Sequence, residues 1–408
     1  MRALAWLAAG SLLLGAAPAR ASLAELFGLG ARSSALAGTG ASYATGYEST
    51  YSNPAGLWAG RRHLSVGVVY GGYNVSLGEN PYAIKATGGL VIGGAVPLPL
   101  GGVLANRIGL GLGLYTPFGS VNAVHDPFPD VPRAALLDGR TQVVSVLFGA
   151  GVRLPAGFSI GGGVLALAAL IGTITITPDG TGRVTSLSEE QLTVDYAPIV
   201  GVRWQGLGDR LHVGAVFRGV SRSTYRLAVN TNLGDSLPIA LPQILFAGVA
   251  QYDPMQVGVE VAWRPAPALM LALQATWKHW SAYGYPVMPA TAEAPPLPDP
   301  QFHDTVVPRA AAEWTLPPPS WAAFFVRGGY FFEWSPAPDP PAPASTPASR
   351  PSNLLDADRH VLTAGVGMRL TGRVPLHVEL FAQGHFLAHH SQLGGNIGLG
   401  GLTLGLDL

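Results

Sequence analysis

Four side chains with chemically useful groups lie close together near the end of the chain: His385, His389, His390 and Ser391. Imidazole and hydroxyl groups at this spacing could form a hydrolytic site or a metal site. His385 and His389 would share a face only in a helix, whereas this segment alternates like a strand. No nucleophile motif or carboxylate lies beside them. We therefore expect no catalytic residue, no metal site, no cofactor and no enzymatic activity.

A second candidate motif is the glycine run "GLGLGL" at 109–114, which superficially resembles a phosphate-binding loop. It lies inside a strand pattern and no helix follows it, so it lacks the context that a nucleotide loop needs. The chain also carries 24 basic and 24 acidic residues. A nucleic-acid partner needs a basic surface, so this balance predicts no binding of nucleic acid.

The composition indicates where the apolar surface of the chain must go. Only 12% of the 408 residues are charged, and 54 are glycine. Soluble proteins carry about 25% charged residues, which they need to keep their surfaces in water. A chain so poor in charge must bury its apolar surface in something other than water.

The first 21 residues, "MRALAWLAAGSLLLGAAPARA", look like an export signal. A basic residue precedes an apolar run, and Ala19-Arg20-Ala21 forms a cleavage pattern. The alternative is a membrane anchor, but the run is shorter than the roughly 20 residues that a spanning helix needs. We therefore expect residues 1–21 to be a signal peptide. The absence of cysteine suits export to an oxidising compartment.

The rest of the chain alternates with a period of two. In "PMQVGVEVAWR", Gln256, Glu260 and Arg264 share one parity, and the intervening residues are apolar. Successive side chains of a strand point to opposite faces, so each such segment has one apolar face and one mixed face. The pattern predicts fourteen strands, at 63–77, 87–99, 106–116, 139–153, 157–176, 192–205, 209–226, 255–264, 268–280, 306–315, 321–333, 358–370, 374–387 and 395–408.

The connections between these strands alternate in length. Short ones lie at 154–157, 205–209, 264–268, 315–320 and 371–375, and long ones at 117–138, 177–191, 227–254, 281–305 and 334–357. A soluble sandwich has no reason to sort its loops in this way, whereas a bacterial outer-membrane barrel has short periplasmic turns and long extracellular loops. An even number of strands places both termini in the periplasm. We therefore expect an all-β, 14-stranded antiparallel transmembrane barrel spanning residues 63–408.

The last strand agrees with this prediction. In "LTLGLDL", four leucines alternate with Thr403, Gly405 and Asp407. Outer-membrane barrels commonly end in such a strand, which their assembly machinery reads, although Leu408 replaces the usual terminal aromatic residue. We expect a monomer whose partners are outer-membrane lipid and, during biogenesis, the barrel assembly machinery.

Segment 22–62 does not read as a strand, because it is rich in alanine, glycine and serine. It also carries apolar residues in numbers that a solvated periplasmic tail would not have. These are Leu23, Leu26, Phe27, Leu36, Tyr43, Tyr47, Tyr51, Leu57 and Trp58. A lumen of about 14 strands is wide enough for a channel unless something fills it. We therefore expect segment 22–62 to form a plug, or hatch, inside the barrel.

The stretch "ARSSALAGTGASYATGYESTYSNPAGL" resembles the N-terminal signature of the FadL family of outer-membrane transporters, and Asn53, Pro54, Ala55 and Gly56 match the hatch motif of that family. Further similar segments follow in the same order, at 111–119, 277–283, 303–314, 326–336 and 356–370. The resemblance covers nearly the whole chain after the leader.

The resemblance implies a function and a route. FadL-type proteins take up long-chain fatty acids and other hydrophobic compounds by passive binding, hatch rearrangement at the Asn-Pro-Ala-Gly turn and lateral release through a kinked third strand. The third strand here contains Gly113, Pro117 and Gly119. Proline removes a ladder donor and glycine eases bending, so these residues could form the kink. Alternatively, Pro117 only ends the strand.

A fatty acid would need an apolar channel for its tail and a cation for its carboxylate. Basic candidates with inward parity are Lys278, Arg309, Arg218 and Arg327, and apolar candidates are Phe27, Leu26, Phe324 and Met270. Each basic residue could instead pair with an inward Glu260, Glu313 or Asp195 to neutralise a polar lumen.

The substrate stays open at this level. Long-chain fatty acids are the first expectation, and aromatic hydrocarbons are the alternative on the same fold. A general diffusion porin for small polar solutes is a further alternative, which the apolar plug segment opposes.

Overall fold

The structure is a computed structural model, and it describes residues 23–119, 133–134, 136–137, 141–178, 184–231, 243–284, 299–319, 321–338, 354–372, 375–388 and 393–408. The expected signal peptide at 1–21 lies outside these residues. Among the helices described, none is long and apolar enough to cross a membrane.

Strands make up most of the described chain. In chain order they are β1 (His63–Leu77), β2 (Asn80–Tyr82), β3 (Thr87–Pro97), β4 (Ile108–Pro117), β5 (Ser145–Arg153), β6 (Phe158–Pro178), β7 (Val184–Gly206), β8 (Leu211–Arg218), β9 (Ser221–Thr231), β10 (Ile244–Asp253), β11 (Gln256–Ala266), β12 (Leu269–Lys278), β13 (Thr305–Thr315), β14 (Ala322–Glu333), β15 (Asp358–Leu370), β16 (Leu376–Ala388) and β17 (Leu393–Asp407).

Fourteen of these strands form a closed antiparallel barrel. Each wall strand pairs with the next along the chain, except that β1 pairs directly with β3 and β8 with β11. The barrel closes where β1 pairs with β17 over the whole length of β1, from His63 opposite Asp407 to Leu77 opposite Leu393. The expected 14-stranded antiparallel barrel is therefore confirmed.

The loop predictions at 177–191 and 227–254 were partly wrong. β6 and β7 continue their pairing as far as Pro178 and Val184, so most of 177–191 is strand. Residues 221–231 and 244–253 form the extra hairpin β9–β10, and β9 runs parallel to β6 from Tyr225 to Thr231. Residues 177–191 are polar on both faces, and the second half of β10 is buried on both faces, so neither segment shows a strict alternation.

The exterior of the barrel is apolar. On β1 the outward side chains Leu64, Val66, Val68 and Tyr70 are 43–65% exposed, while the residues between them face inward. β11 and β17 expose apolar side chains in the same alternating way. Closing a sheet removes its edges, and an apolar outer band is what a membrane-spanning barrel presents to lipid. This exterior accounts for the low charge of the chain.

The two ends of the barrel differ. We call the end that carries the connections at 154–157, 207–210 and 267–268 the turn end, and both the start of β1 and the end of β17 lie there. The opposite end, which we call the loop end, carries the β9–β10 hairpin and the longer connections, such as 279–304 and 334–357.

The N-terminal segment lies inside the barrel. It contains short helices, α1 (Leu23–Phe27), α2 (Ala31–Ala35) and α3 (Ser49–Ser52), and two 3₁₀ turns at Gly46–Glu48 and Pro54–Ala59. Helix α2 packs against β14 to β17, and the 54–59 turn packs against β3 to β7 on the other side of the lumen. Nearly every residue from Leu23 to Leu57 is buried. We call residues 23–59 the plug.

Candidate functional site

Asn53 fixes the plug to the barrel wall. Its side-chain oxygen accepts a hydrogen bond from the backbone N–H of Ala55 at 3.0 Å, which caps the 54–59 turn. Its amide nitrogen lies 2.6 Å from the carbonyl oxygen of Ala41 in the plug, and 3.1 and 3.2 Å from those of Val202 and Ala215 in β7 and β8. One fully buried side chain therefore joins the turn, the plug and two wall strands.

Inward glycines in the wall make room for this turn. A Cβ atom at Gly151 or Gly161 would collide with the backbone of Pro54, and one at Gly201 would collide with the side chain of Asn53. Gly56 has the same role on the plug side, because its own Cβ would meet the carbonyl oxygen of Ala44 and the guanidinium of Arg203. The glycine-rich strands are therefore the surface on which the plug docks.

Glu260 binds a loop of the plug through backbone amides. Its carboxylate accepts N–H hydrogen bonds from Gly40, Ala41 and Ser42 at 2.6, 3.0 and 2.8 Å, and it also accepts the hydroxyl of Ser42 at 2.6 Å. The residue is 1% exposed. Hydrogen bonds to a buried carboxylate are stronger than those between neutral groups. The sequence offered Glu260, Glu313 and Asp195 as alternative partners for the basic residues, and the structure shows Glu260 bound to backbone amides and one hydroxyl of the plug.

A charged cluster joins the plug to the loop end of the wall. The ammonium group of Lys278 pairs with the carboxylates of Glu25 in α1 and Glu333 in β14. Arg359 also pairs with Glu333, at 2.8 Å. Burial raises the pKa of Glu25, but the nearby positive charges, chiefly that of Lys278, overcome this effect and lower the pKa to about 2. Glu25 is therefore ionised at physiological pH.

Arg309 and Arg218 also hold the plug. Arg309 donates to the carbonyl oxygen of Ala37 at 2.7 Å, and its guanidinium lies 4.3 Å from the ring centroid of Phe331. Arg218 donates to the carbonyl oxygen of Tyr51 at 3.0 Å and lies 4.4 Å over the ring of that residue. Both residues face inward, as their parity predicts, and each has a partner in the plug.

Arg327 lies nearer the turn end, in a series of ion pairs that links the wall strands β13, β14 and β16 to the plug. It donates to Glu313 at 2.7 Å and to Glu379 at 3.0 Å, and Arg32 of the plug donates to the same Glu313 at 2.8 Å. Pairing between Arg327 and an inward glutamate was one of the two roles left open by the sequence, and the structure shows it.

The ion pairs of Arg32, Glu313, Arg327 and Glu379 border a cavity of about 320 Å³ between the plug and the wall at the turn end. Five arginines line it, Arg32, Arg61, Arg264, Arg327 and Arg369, together with the acidic residues Glu48, Glu313, Glu379 and Asp407. Burial, with the nearby charge of Glu379, raises the pKa of Glu48 in the plug to about 8. The cavity is thus polar and charged, unlike a site for an apolar tail.

The apolar candidates fall in two places. Leu26 and Phe27 are 6% and 3% exposed and belong to the large apolar core that joins α1 to the wall, where the ring of Phe27 meets the edge of His385 at 5.2 Å. Met270 is 3% exposed and packs with Leu36 and Tyr43 of the plug. Leu26 and Phe27 thus belong to the plug itself, and Met270 lines the part of the lumen that the plug occupies.

The prediction for Phe324 was wrong. It shares its parity on β14 with Val326 and Tyr330, which are 43% and 40% exposed on the outside of the barrel. Its ring contacts Trp321 at a centroid distance of 5.6 Å, and Trp321 is 56% exposed. The segment "FF" offers an aromatic side chain to both faces, so alternation alone could not decide which phenylalanine points inward. Phe325 is the one that lines the cavity at the turn end.

The third wall strand, β4, has no register shift in the described pairing. It pairs with β3 from Gly109 to Pro117 and with β5 from Ile108 to Tyr115. Gly113 faces the plug, because a Cβ there would lie 3.2 Å from the side chain of Leu29. Pro117 is the last residue of the strand, and Gly119 follows it with φ of 85°. Pro117 lies beyond the last β4–β5 pair.

Aromatic side chains gather at the loop end. Tyr252 stacks on Trp280 at 5.1 Å, and Tyr283 stacks on Phe302 at 4.8 Å. All four are buried, together with Leu136, Ala337 and Leu354. Trp280 lies just after the end of β12, where a tryptophan can face the membrane interface, but it is only 1% exposed. Trp263, Trp314 and Trp321, in contrast, are 52–56% exposed on the exterior.

Sequence reasoning missed several plug contacts. Gln383 donates to the carbonyl oxygens of Phe27 and Ser34 at 2.9 and 2.7 Å, and Arg203 donates to that of Ala44 at 2.6 Å. Their signal was inward parity combined with polarity, which many lumen residues share. His385 is buried in the wall, whereas His389, His390 and Ser391 lie outside the described residues.

No family model and no curated protein matches this sequence. Solved structures do match. A FadL homologue of Pseudomonas aeruginosa is similar with a TM-score of 0.59 and 12% identity, over 93% of this chain and 98% of that one. The CymD monoaromatic hydrocarbon channel gives 0.57 and 14%, over 94% and 98%. The toluene transporter TodX of P. putida gives 0.54 and 12%, over 94% and 99%.

At identities this low, the structural similarity establishes the fold alone. The coverage shows that the shared fold extends over almost the whole of each chain. The chain therefore has the fold of the FadL homologue and of the monoaromatic hydrocarbon channels, a 14-stranded barrel with its N-terminal segment inside.

Proposed function

We propose that this protein is an integral protein of the bacterial outer membrane that takes up hydrophobic molecules. The observation that carries the proposal is the plug, whose helix α1 presents Leu23, Leu26 and Phe27 to an apolar core inside the barrel. An open channel for polar solutes would have a wet lumen, whereas this one offers apolar contacts next to a removable segment. The similar structures include a monoaromatic hydrocarbon channel and a toluene transporter, which supports a hydrophobic cargo.

Long-chain fatty acids are the first candidate substrate. Lys278 is the cation best placed for a carboxylate, and the carboxylate of Glu25 on the plug is already bound to it. A fatty-acid carboxylate that replaces Glu25 at Lys278 would detach α1 while the tail occupies the position of Leu26 and Phe27. Substrate binding and plug rearrangement would then be one event, since both compete for the same charge and the same apolar surface.

Monoaromatic hydrocarbons are the second candidate. The rings of Tyr252, Trp280, Tyr283 and Phe302 are buried against one another at the loop end, and an aromatic molecule could take the place of one of them in the stack when this cluster opens. A hydrocarbon has no carboxylate to compete with Glu25, so this route would not depend on Lys278.

For release, we propose a lateral exit beside Pro117. The proline has no N–H, and it lies past the last β4–β5 pair, so opening the wall there breaks no ladder hydrogen bond between those strands. A Pro117→Ala variant that takes up substrate at the wild-type rate would argue against this exit.

Uptake of labelled oleate and of toluene should be measured in cells with and without the protein, alongside permeability to a small sugar. Hydrophobic uptake that depends on the protein, with no change in sugar entry, supports the proposal. If the protein increases sugar entry but not the uptake of oleate or toluene, it is instead a diffusion porin.

A further inference from the structure

Three potential metal ligands that the transport proposal does not use meet at the turn end, where the barrel closes. His63 begins β1, Asp407 ends β17, and His377 lies near the start of β16. These strands are neighbours in the order β1, β17, β16. His63 is directly opposite Asp407, and His377 is opposite Gly405, two residues before Asp407. All three therefore face the lumen from adjacent strands.

Their candidate ligand atoms are close together. Nδ1 of His63 lies 3.0 Å from one carboxylate oxygen of Asp407, and Nε2 of His377 lies 3.0 Å from the other. One ligand atom from each residue can be chosen so that all lie within 4.8 Å of one another. Donors about 2.0–2.1 Å from a tetrahedral zinc ion are about 3.3 Å apart, so small side-chain rotations would suffice to bind one.

Two of these atoms are buried against each other without a well-formed hydrogen bond. Nε2 of His377 and Oδ2 of Asp407 are shielded from solvent and form an ion pair at 3.0 Å that is not in hydrogen-bond geometry. Arg61 comes within 3.8 Å of the same oxygen, but its side chain is 75% exposed. A metal ion would give both buried atoms a well-directed partner at once.

The ring of His63 occupies the space that a side chain at position 405 would fill, and residue 405 is a glycine. A Cβ atom there would lie 2.6 Å from Cε1 and 3.0 Å from Nε2 of His63, so any larger residue would displace that ring. All three ligand residues also line the cavity of about 320 Å³ at the turn end. Three protein ligands beside a polar cavity leave a fourth position for water.

The charges around the site limit its affinity for a metal ion. Asp407 supplies one negative charge and Glu379 a second nearby, whereas Arg61, Arg264 and Arg369 line the same cavity. These arginines oppose a divalent cation, so we expect weaker binding than at a closed structural zinc site. Imidazole nitrogen selects late first-row metals over magnesium and calcium, which prefer oxygen ligands.

We propose that His63, His377 and Asp407 bind one divalent transition-metal ion, with zinc as the best match, across the closing seam of the barrel. Bound metal joins the first strand to the last two. The ring of Tyr47 in the plug stacks on His63 with centroids 6.2 Å apart and planes 6° apart, so the ion also fixes a contact of the plug. The site is independent of the cargo that the barrel carries.

The test uses the full-length protein in detergent, titrated with zinc chloride in a calorimeter, and with cobalt(II) as a spectroscopic probe. We expect one zinc per barrel and the visible absorption of low-coordinate cobalt with nitrogen ligands. His377→Ala and Asp407→Asn should each weaken zinc binding at least about tenfold. His360→Ala is the matched control, since His360 faces outward on the neighbouring β15, and it should bind zinc like the wild type.

Two results would overturn the proposal. One is zinc binding of unchanged affinity in both ligand variants, which would place the metal at other histidines. The other is a wild-type protein that shows neither stoichiometric zinc binding nor a cobalt spectrum, and this outcome does not depend on whether the variants fold. Transport plays no part in either readout, so failure of the transport proposal would be seen separately.

Discussion

Glu260 in the barrel wall accepts hydrogen bonds from both the backbone N–H and the hydroxyl group of Ser42 in the plug, at 2.8 and 2.6 Å. The same carboxylate also accepts the amides of Gly40 and Ala41. The wall thus holds the plug through its backbone, which a carboxylate can do without any matching positive side chain. Docking of the plug therefore depends on a small number of buried polar groups, each of which can be changed separately.

Replacing Glu260 with glutamine should loosen the plug. The amide keeps the size of the side chain, but its NH₂ group faces backbone donors and leaves at least one buried N–H unpaired, at a cost of about 1–3 kcal/mol. The readout is maleimide labelling of a Ser52→Cys reporter, because Ser52 is 4% exposed and the chain has no cysteine of its own. Glu260→Gln should label about tenfold faster than its parent, and Glu79→Gln, on an exposed loop, should not.

Adding one methyl group at Gly161 should disturb docking more than adding it next door. The new Cβ of Gly161→Ala would collide with the backbone of Pro54 and Ala55, whereas at Gly162 no atom lies within 4 Å. Overpacking of this kind costs about 1–3 kcal/mol. With the same reporter, Gly161→Ala should label faster and Gly162→Ala should match the parent. Equal labelling of the two variants would contradict docking of the turn on the glycine surface.

Lys278→Met should separate the two candidate substrates. It removes the ion-pair partner of Glu25, whose buried carboxylate then keeps, within the described part of the chain, only the hydrogen bond from the hydroxyl of Tyr51; the loss costs about 3–5 kcal/mol and should destabilise α1 against the wall. If a fatty-acid carboxylate replaces Glu25, oleate uptake should fall at least about tenfold. The double variant Lys278→Met with Glu25→Gln restores neutrality, so it should regain stability and toluene uptake but not oleate uptake. Oleate uptake at wild-type level in the double variant would remove Lys278 from the route.

Docking of the plug should weaken as pH rises. Burial and the charge of Glu379 raise the pKa of Glu48 from 4.5 to about 8, so the docked plug binds this proton more tightly than the released plug. The resulting stabilisation is fully present below pH 4.5 and is lost as pH rises to about 8. In hydrogen exchange, corrected for the intrinsic effect of pH on the exchange rate, the opening equilibrium constant of the slowly exchanging plug amides should increase about tenfold or more over this range. Glu48→Gln should flatten the dependence, and a pH dependence that persists in this variant would assign it to another group.

The wall of the barrel could be predicted from the sequence because an apolar exterior on one side and the lumen on the other impose a strict alternation. The bounds of β1 and β15, at 63–77 and 358–370, match the prediction. The β9–β10 hairpin was missed because β10 is buried on both faces from Ala247 to Asp253, and a strand buried on both faces need not alternate. The small and apolar residues of segment 22–62 indicated a buried plug, and the resemblance agreed with it.

The site was predicted less well, because parity shows which face a side chain lies on but not what it meets there. Arg309 and Arg218 do face inward, yet backbone carbonyls of the plug satisfy them. Those carbonyls belong to a segment without regular periodicity, so no pattern in the sequence places them opposite a given arginine. The glycines of β4 were read as a source of flexibility, whereas Gly109 and Gly111 give space to Leu57 of the plug.

The most direct test of the central claim, that cargo passes only when the hatch turn at 54–59 leaves the wall, is a reversible tether between this turn and β5. The Cβ of Pro54 lies 3.6 Å from the position of a Cβ at Gly149 in β5, which suits a disulfide. Oxidised Pro54→Cys/Gly149→Cys cells should lose uptake of oleate and toluene, reduction should restore it, and each single variant should transport in both conditions. Unchanged uptake while the disulfide is fully formed would contradict the account.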